Sequence, residues 1–91
     1  MPYKEKPVKK LYYNIGEVAA MFNVATSAIR FWETQFGKLH TKRTRKGNRI
    51  FTQRDIDKIQ IIYFEIIEEG RKLAFIKRRL RNHPLFKDQL S

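Results

Sequence analysis

The stretch from Tyr13 to Phe36, YNIGEVAAMFNVATSAIRFWETQF, decides the fold. Asn14 is a good helix N-cap, and Glu17 three residues later gives the spacing of a capping box. Ile15, Val18, Ala19 and Phe22 then recur on one face of a helix of about two turns. Asn23 tolerates the left-handed backbone that a tight reversal needs, and it stops the helix. A second helix follows almost at once. Ala28, Ile29 and Trp32 make its apolar face, Phe36 closes it and Gly37 ends it, while Ser27, Arg30 and Phe31 point the other way. Two short helices joined by such a turn form a helix-turn-helix, an arrangement whose second helix enters the DNA major groove.

Working outward, the pattern beyond Gly37 changes to β. His40 to Thr44 and Arg49 to Thr52 flank Arg45-Lys46-Gly47-Asn48, with Gly47 and Asn48 expected to accept the positive φ of a tight hairpin turn. Ile50 is expected to face the core, with Arg49 and Phe51 alternating with it. A two-stranded hairpin is marginal alone, so it must pack on the helices. Thr52 caps a third helix with Asp55 at the third position. Ile56, Ile59, Tyr63, Ile66 and Gly70 form one stripe, and Ile61 and Phe64 part of a second, which reads as a central core helix before a partner-binding face. Gly70 suits a C-terminal cap. A fourth helix, about Leu73 to Arg81, turns Leu73, Ile76 and Leu80 inward and its cations outward. Pro84 ends any continuation, leaving Leu85, Phe86 and Leu90 as a short apolar tail. The expected fold is mainly α with a small β-hairpin: a winged helix-turn-helix of four helices plus one two-stranded wing. Residues 1–11, with Pro2 and Pro7, read as a basic arm, 12–82 as the domain and 83–91 as the tail.

Composition narrows the function. Of 91 residues, 20 are Lys or Arg and 9 are Asp or Glu, a net charge of +11. Seven Phe, four Tyr and one Trp exclude a disordered basic tail. The cations come in acid-free blocks: Lys38, Lys42, Arg43, Arg45, Lys46, Arg49 and Arg54, then Arg71, Lys72, Lys77, Arg78, Arg79 and Arg81. Segregation of this kind builds a field that attracts phosphate, so the expected partner is a polyanion. The absence of Cys excludes disulfides and thiolate metal sites. His40 and His83 lie far apart, Ser27 and Ser91 have no neighbouring His, and the glycines are isolated. No catalytic constellation, metal site or cofactor is therefore expected. The basic N-terminus leads into no apolar h-region, and no apolar run suffices to span a bilayer. A cytoplasmic, nucleoid-associated domain is the expectation. Two other partners fit the pattern less well. An RNA reader would expose stacking aromatics on a sheet, whereas Trp32, Phe22 and Phe36 sit on apolar helix faces. A membrane-surface helix at residues 71–81 would need the apolar stripe that completes the core.

Four ordered blocks carry a family resemblance. Tyr13-Asn14-Ile15-Gly16-Glu17-Val18-Ala19 resembles the opening "Y-x-I-G-E-x-A" of the MerR family of bacterial transcription regulators. Ile29-Arg30-Phe31-Trp32-Glu33 resembles its "L-R-Y-Y-E" recognition-helix signature. Gly47-Asn48-Arg49-Ile50-Phe51-Thr52, followed by Asp55-Ile56, resembles the "G-Y-R-x-Y" and "D-[LI]" at and after the wing. Gly70, Leu73, Ile76, Lys77 and Leu80 keep the spacing of the next segment.

The resemblance implies sequence-selective binding of double-stranded DNA for regulation of transcription, with the recognition helix in the major groove and the wing along flanking backbone. Carried over, it assigns Thr26, Ser27, Arg30 and Phe31 to the recognition helix. Arg43 and Arg49 match wing arginines, and Lys42, Arg45, Lys46 and Asn48 join them by charge and position. Ala25 stands where the family usually has a Ser cap, Phe31 lacks the hydroxyl of the family tyrosine, and Asn48 replaces an aromatic. About ten residues follow Arg81. The chain therefore reads either as a fragment of a longer regulator, its tail starting a truncated dimerisation helix, or as a minimal member resembling excisionase-type architectural winged helices. A homodimer is allowed through segments largely absent here.

Overall fold

The computed structural model describes residues 10–86. Its elements run α1 (Ile15–Phe22), α2 (Thr26–Phe36), β1 (Lys42–Arg43), β2 (Arg49–Ile50), α3 (Gln53–Tyr63), a π-helical turn (Phe64–Glu68) and α4 (Leu73–Leu80). This is the mainly helical, four-helix and one-hairpin order of a winged helix-turn-helix.

Local chemistry starts and stops the first elements. Asn14 Oδ1 accepts from the Glu17 amide at 2.8 Å, and the Glu17 carboxylate accepts from the Asn14 amide at 2.9 Å. Two otherwise orphaned donors are thus satisfied, which stabilises the helix by about 1 kcal/mol. Asn23 ends α1 at φ 56°, in the left-handed region that its short polar side chain tolerates. α2 starts at Ala25 with no side-chain acceptor and ends at Gly37, whose φ is 94°. α3 opens on the Thr52–Asp55 capping box.

Val18, Ala19, Ile29, Trp32, Phe36, Leu39, Phe51, Ile56, Ile59, Ile62, Ile76 and Leu80 make up most of the buried core. A side chain of this size fully withdrawn from water contributes about 1.5–3 kcal/mol. The turn between α1 and α2 is short enough that α1 becomes a buttress for α2. α4 closes the other side of α2 through Ile76 and Leu80. The underside of α2 is therefore covered along its length, and its opposite face is left to solvent.

Three sequence expectations change. The hairpin pairs Lys42 with Ile50 and Arg43 with Arg49, and the Thr44 amide donates to Asn48 O at 2.8 Å. Its loop is the three residues Arg45, Lys46 and Gly47, a length that needs one left-handed residue. Gly47 supplies it at φ 92°; Asn48 has no positive φ. Inward and outward faces of β2 are also exchanged: Phe51 is wholly buried and Ile50 only half-buried. The cause is a backbone bridge in which Tyr13 and Phe51 exchange both amide–carbonyl bonds at 2.8 Å, which rolls Phe51 onto the core. Finally, Ile62 is fully buried while Phe64, at 47% exposure, faces outward. Ile62 belongs to the regular part of α3, one turn on from Ile59; the helix widens to a π-turn only after Tyr63, where Glu65 and not Phe64 turns inward.

Glu65 holds that widened turn. Its buried carboxylate takes Arg79 Nη2 at 3.1 Å on one oxygen, with Arg71 Nε 3.1 Å from the other, outside hydrogen-bonding alignment. The Arg71 amide returns to Glu65 O at 3.0 Å across Gly70, whose φ of 64° makes the reversal. Beyond α4, Phe86 has no exposed surface and Leu85 packs beside it on the core. Leu90 lies outside the described residues.

Candidate nucleic-acid interface

The solvent face of α2 is the stripe Ser27, Arg30, Phe31 and Thr34, all exposed, with Thr26 half-buried at the helix start. These positions recur at i, i+3, i+4 and i+7, so they lie in one row opposite Ile29, Trp32 and Phe36. Arg30 is exposed, and no hydrogen bond or ion pair holds its guanidinium among the described residues. Phe31 is 48% exposed. The Thr34 hydroxyl donates back to the Phe31 carbonyl at 2.6 Å.

The wing lies beside this row. A cleft of about 320 Å³ is lined by Asn14 and Ile15 of α1's start, Arg30 of α2, and Gly47, Asn48 and Arg49 of the wing. The exposed row of α2 and the wing tip thus open onto one surface. Arg45 and Lys46 at the tip are exposed and make no ion pair among the described residues. Arg43 Nη1 donates to Gly47 O at 2.7 Å, bracing the loop. Lys42 Nζ lies 4.7 Å from the centre of the exposed Tyr12 ring, a cation–π contact at the wing's base.

Arg49 differs from the other wing cations. Its Nε donates to Glu33 Oε1 at 2.6 Å, and its side chain is 23% exposed. The other carboxylate oxygen of Glu33 accepts from the Leu39 amide at 2.8 Å, the His40 amide at 3.0 Å and His40 Nδ1 at 2.7 Å. One buried acid on α2 therefore fixes the chain entering the wing and the strand leaving it. Burial pushes the Glu33 carboxyl up, but Arg49, His40 and the Leu39 amide outweigh it and hold it below the usual carboxylate range. In the sequence, Glu33 stands inside a recognised motif without a role of its own. A signal was present, since it is the sole acid between Glu17 and Asp55 in a strongly basic stretch. Asp55 acts similarly at the wing's other end, accepting from the Thr41 hydroxyl and from the Thr52 amide at 2.8 Å.

The second basic block is divided. Arg71 and Arg79 are engaged by Glu65 and both stack on Phe75, at 5.2 and 5.7 Å. Lys72, Arg78 and Arg81 are exposed.

The model of the MerR HTH family regulatory protein matches residues 13–83. The chain belongs to the MerR family. Among MerR-family relatives, the HTH-type transcriptional regulator MlrA of Escherichia coli strain K12 is 36% identical over 70 residues, covering 77% of this chain and 28% of that regulator. MlrA of Salmonella typhimurium strain SL1344 is 40% identical over 65 residues, covering 71% of this chain and 26% of that one. The HTH-type transcriptional regulator ZntR of E. coli K12 is 33% identical over 69 residues, covering 76% of this chain and 45% of the relative. This MerR-family chain spans less than half the length of the curated relatives it matches. No solved structure matches it. These relatives are named as regulators, not enzymes.

Other sites in this MerR-family fold offer less chemistry. A cleft of about 370 Å³ between α1 and α3 is lined by Tyr13, Met21, Phe22, Gln53, Ile56, Gln60 and Tyr63, which include no nucleophile–base pair. Among the described residues, no three His, Asp or Glu side chains gather to hold a metal, and no helix is long and apolar enough to cross a membrane.

Proposed function

We propose that this chain is a sequence-selective module for double-stranded DNA in transcription regulation, with α2 in the major groove and the wing on flanking backbone. One observation carries the reading: Arg30 of α2 and Gly47, Asn48 and Arg49 of the wing line a single cleft, so one stretch of duplex reaches both. Helix insertion needs an element whose far side is packed and whose near side is free, and α2 meets both conditions. Ser27, Arg30 and Phe31 face the groove, with Thr26 at its edge. Arg45 and Lys46 meet phosphates, helped by Lys42 and Arg43, and Asn48 lies at the cleft between wing and helix. Arg49 acts chiefly by holding the wing to α2.

The name carried by the relatives, transcriptional regulator, supports extending the same role to this chain. The DNA-binding unit is residues 12–82, the compartment is the cytoplasm, and a homodimer on DNA would make the selected site palindromic. RNA recognition is disfavoured because Trp32 and Phe36 are buried, and the exposed rings Phe31, Phe64 and Phe75 stand on separate helical elements and not together on a sheet.

The test is a selection of bound duplexes from a random pool, followed by titration of the winner, an RNA hairpin and anionic vesicles across a salt series. A defined duplex motif, bound more tightly than RNA or vesicles, is the expected result. Equal affinity for all three polyanions, or a pool that never converges, rejects sequence-selective recognition.

A further inference from the structure

Among the four exposed side chains in the outward row of α2, only Phe31 can neither donate nor accept a hydrogen bond, and it sits between Arg30 and Thr34 with 48% of its surface in water. The core lies on the opposite side of the helix, so no packing within the domain explains the ring's position. What sets this ring apart from the other exposed apolar side chains is its place in the row beside the wing cleft, where an apolar group on a bound partner would cover it. On the base edges of the DNA major groove, the 5-methyl group of thymine is the one projecting apolar group; the others are hydrogen-bond donors, acceptors or bare ring C–H. A hydroxyl on the ring would let it bond to phosphate or a base edge, but this side chain has none. Thr34, one turn further, donates its hydroxyl to the Phe31 carbonyl at 2.6 Å, so it provides no free donor beside the ring.

We infer that Phe31 is a specificity-determining residue that selects thymine by its 5-methyl group at one position of the bound duplex. This rests on the proposed docking of α2 in the major groove and adds a base identity to it. Ser27 and Arg30 flank the ring on the same row and would take polar edges of neighbouring base pairs or phosphate, leaving Phe31 as the largest apolar group of the row for the methyl contact, with the Thr34 methyl one turn further on.

The experiment uses the full chain and the duplex selected from the random pool. Each thymine of that duplex is replaced in turn by uracil, which removes the methyl group and leaves every hydrogen-bonding edge intact. One position is expected to lose about fourfold in affinity, the value of one methyl group withdrawn from water. Phe31→Ala should bind the thymine and uracil duplexes equally, whereas Phe31→Leu, which keeps an apolar contact, should retain the discrimination. As a second arm, cytosine placed at that position should bind more tightly once 5-methylated.

A uracil scan that is flat on a tightly bound duplex overturns the inference while leaving α2 docking intact. So does discrimination that persists in Phe31→Ala. Failure of the wild-type chain to select any duplex rejects the docking itself, and the two failures are distinguished before any variant is made.

Discussion

Arg49 of the wing and Glu33 of α2 are joined by an ion pair of 2.6 Å across a sequence separation of 16 residues. The carboxylate is nearly buried and the guanidinium is 23% exposed. This pair sets where the wing stands relative to α2, because β2 has no other charged tie to the helix among the described residues. A wing free to swing would still be basic, but it would not present Lys46 and Arg45 in a fixed register with Arg30.

Removing Glu33 should therefore cost stability as well as alignment. Glu33→Ala leaves Arg49 without its partner and the Leu39 and His40 amides without their acceptor. A loss of about 2–4 kcal/mol is expected, measured by urea unfolding. In a double-mutant cycle, Glu33→Gln and Arg49→Gln should be strongly non-additive. Additive losses would show that the pair does not couple the two elements.

The same carboxylate predicts a pH dependence. Its folded pKa lies below the unfolded one, because Arg49, His40 and the Leu39 amide favour the ionised form more than burial disfavours it. Its contribution to stability is then complete above about pH 4.3, the ordinary Glu value, and is lost as the pH falls through the lower folded value. Urea midpoints followed from pH 6 down to about pH 3 should fall in the wild type. The slope should be shallower in Glu33→Gln; identical acid limbs would contradict this assignment.

At the start of α2, the backbone of Ala25 is extended, with φ −75° and ψ 153°, which is the geometry of a capping residue without a capping side chain. Ala25→Ser supplies a side-chain acceptor for the first turn, where the Ala28 amide now reaches only the Ala25 carbonyl at 3.0 Å. It should stabilise the domain by about 1 kcal/mol in thermal or urea unfolding. No gain would mean that water, or a neighbouring group, already serves the amides of that turn.

The two kinds of cation should separate in DNA titrations. Arg30→Ala should weaken binding to the selected duplex by about 1–3 kcal/mol if its guanidinium pairs with a phosphate or a base edge. Arg45→Ala or Lys46→Ala should weaken all duplexes alike and flatten the salt slope by about one unit for each phosphate left without its cation. Wing variants that leave both quantities unchanged would remove the hairpin from the interface.

Much of the architecture was legible in the chain because its causes are local. The capping boxes at Asn14–Glu17 and Thr52–Asp55 close within three residues, and Asn23, Gly37 and Gly70 end their elements through their own backbone freedom. The apolar row Ile29, Trp32 and Phe36 states which side of α2 is covered, and by subtraction which side carries Ser27, Arg30 and Phe31. Such features depend on residue type and helical period alone, so any reader of the sequence can recover them.

Other choices depended on partners brought close only by folding. Which of Ile50 and Phe51 turns inward was settled by the bridge to Tyr13, and alternation along a two-residue strand carries too little information to decide it. The widened turn after Tyr63 buries Glu65 against two arginines, one of them 14 residues away, a contact no local pattern announces. Likewise, the cation pattern made Arg49 equivalent to Arg45 and Lys46, until the buried carboxylate of Glu33 set it apart. Short-range hydrogen bonds and periodicity specify the elements of this domain. The pairing of distant charges and backbone edges, whose strength depends on burial that no single segment possesses, specifies how its helix and wing come to share one face.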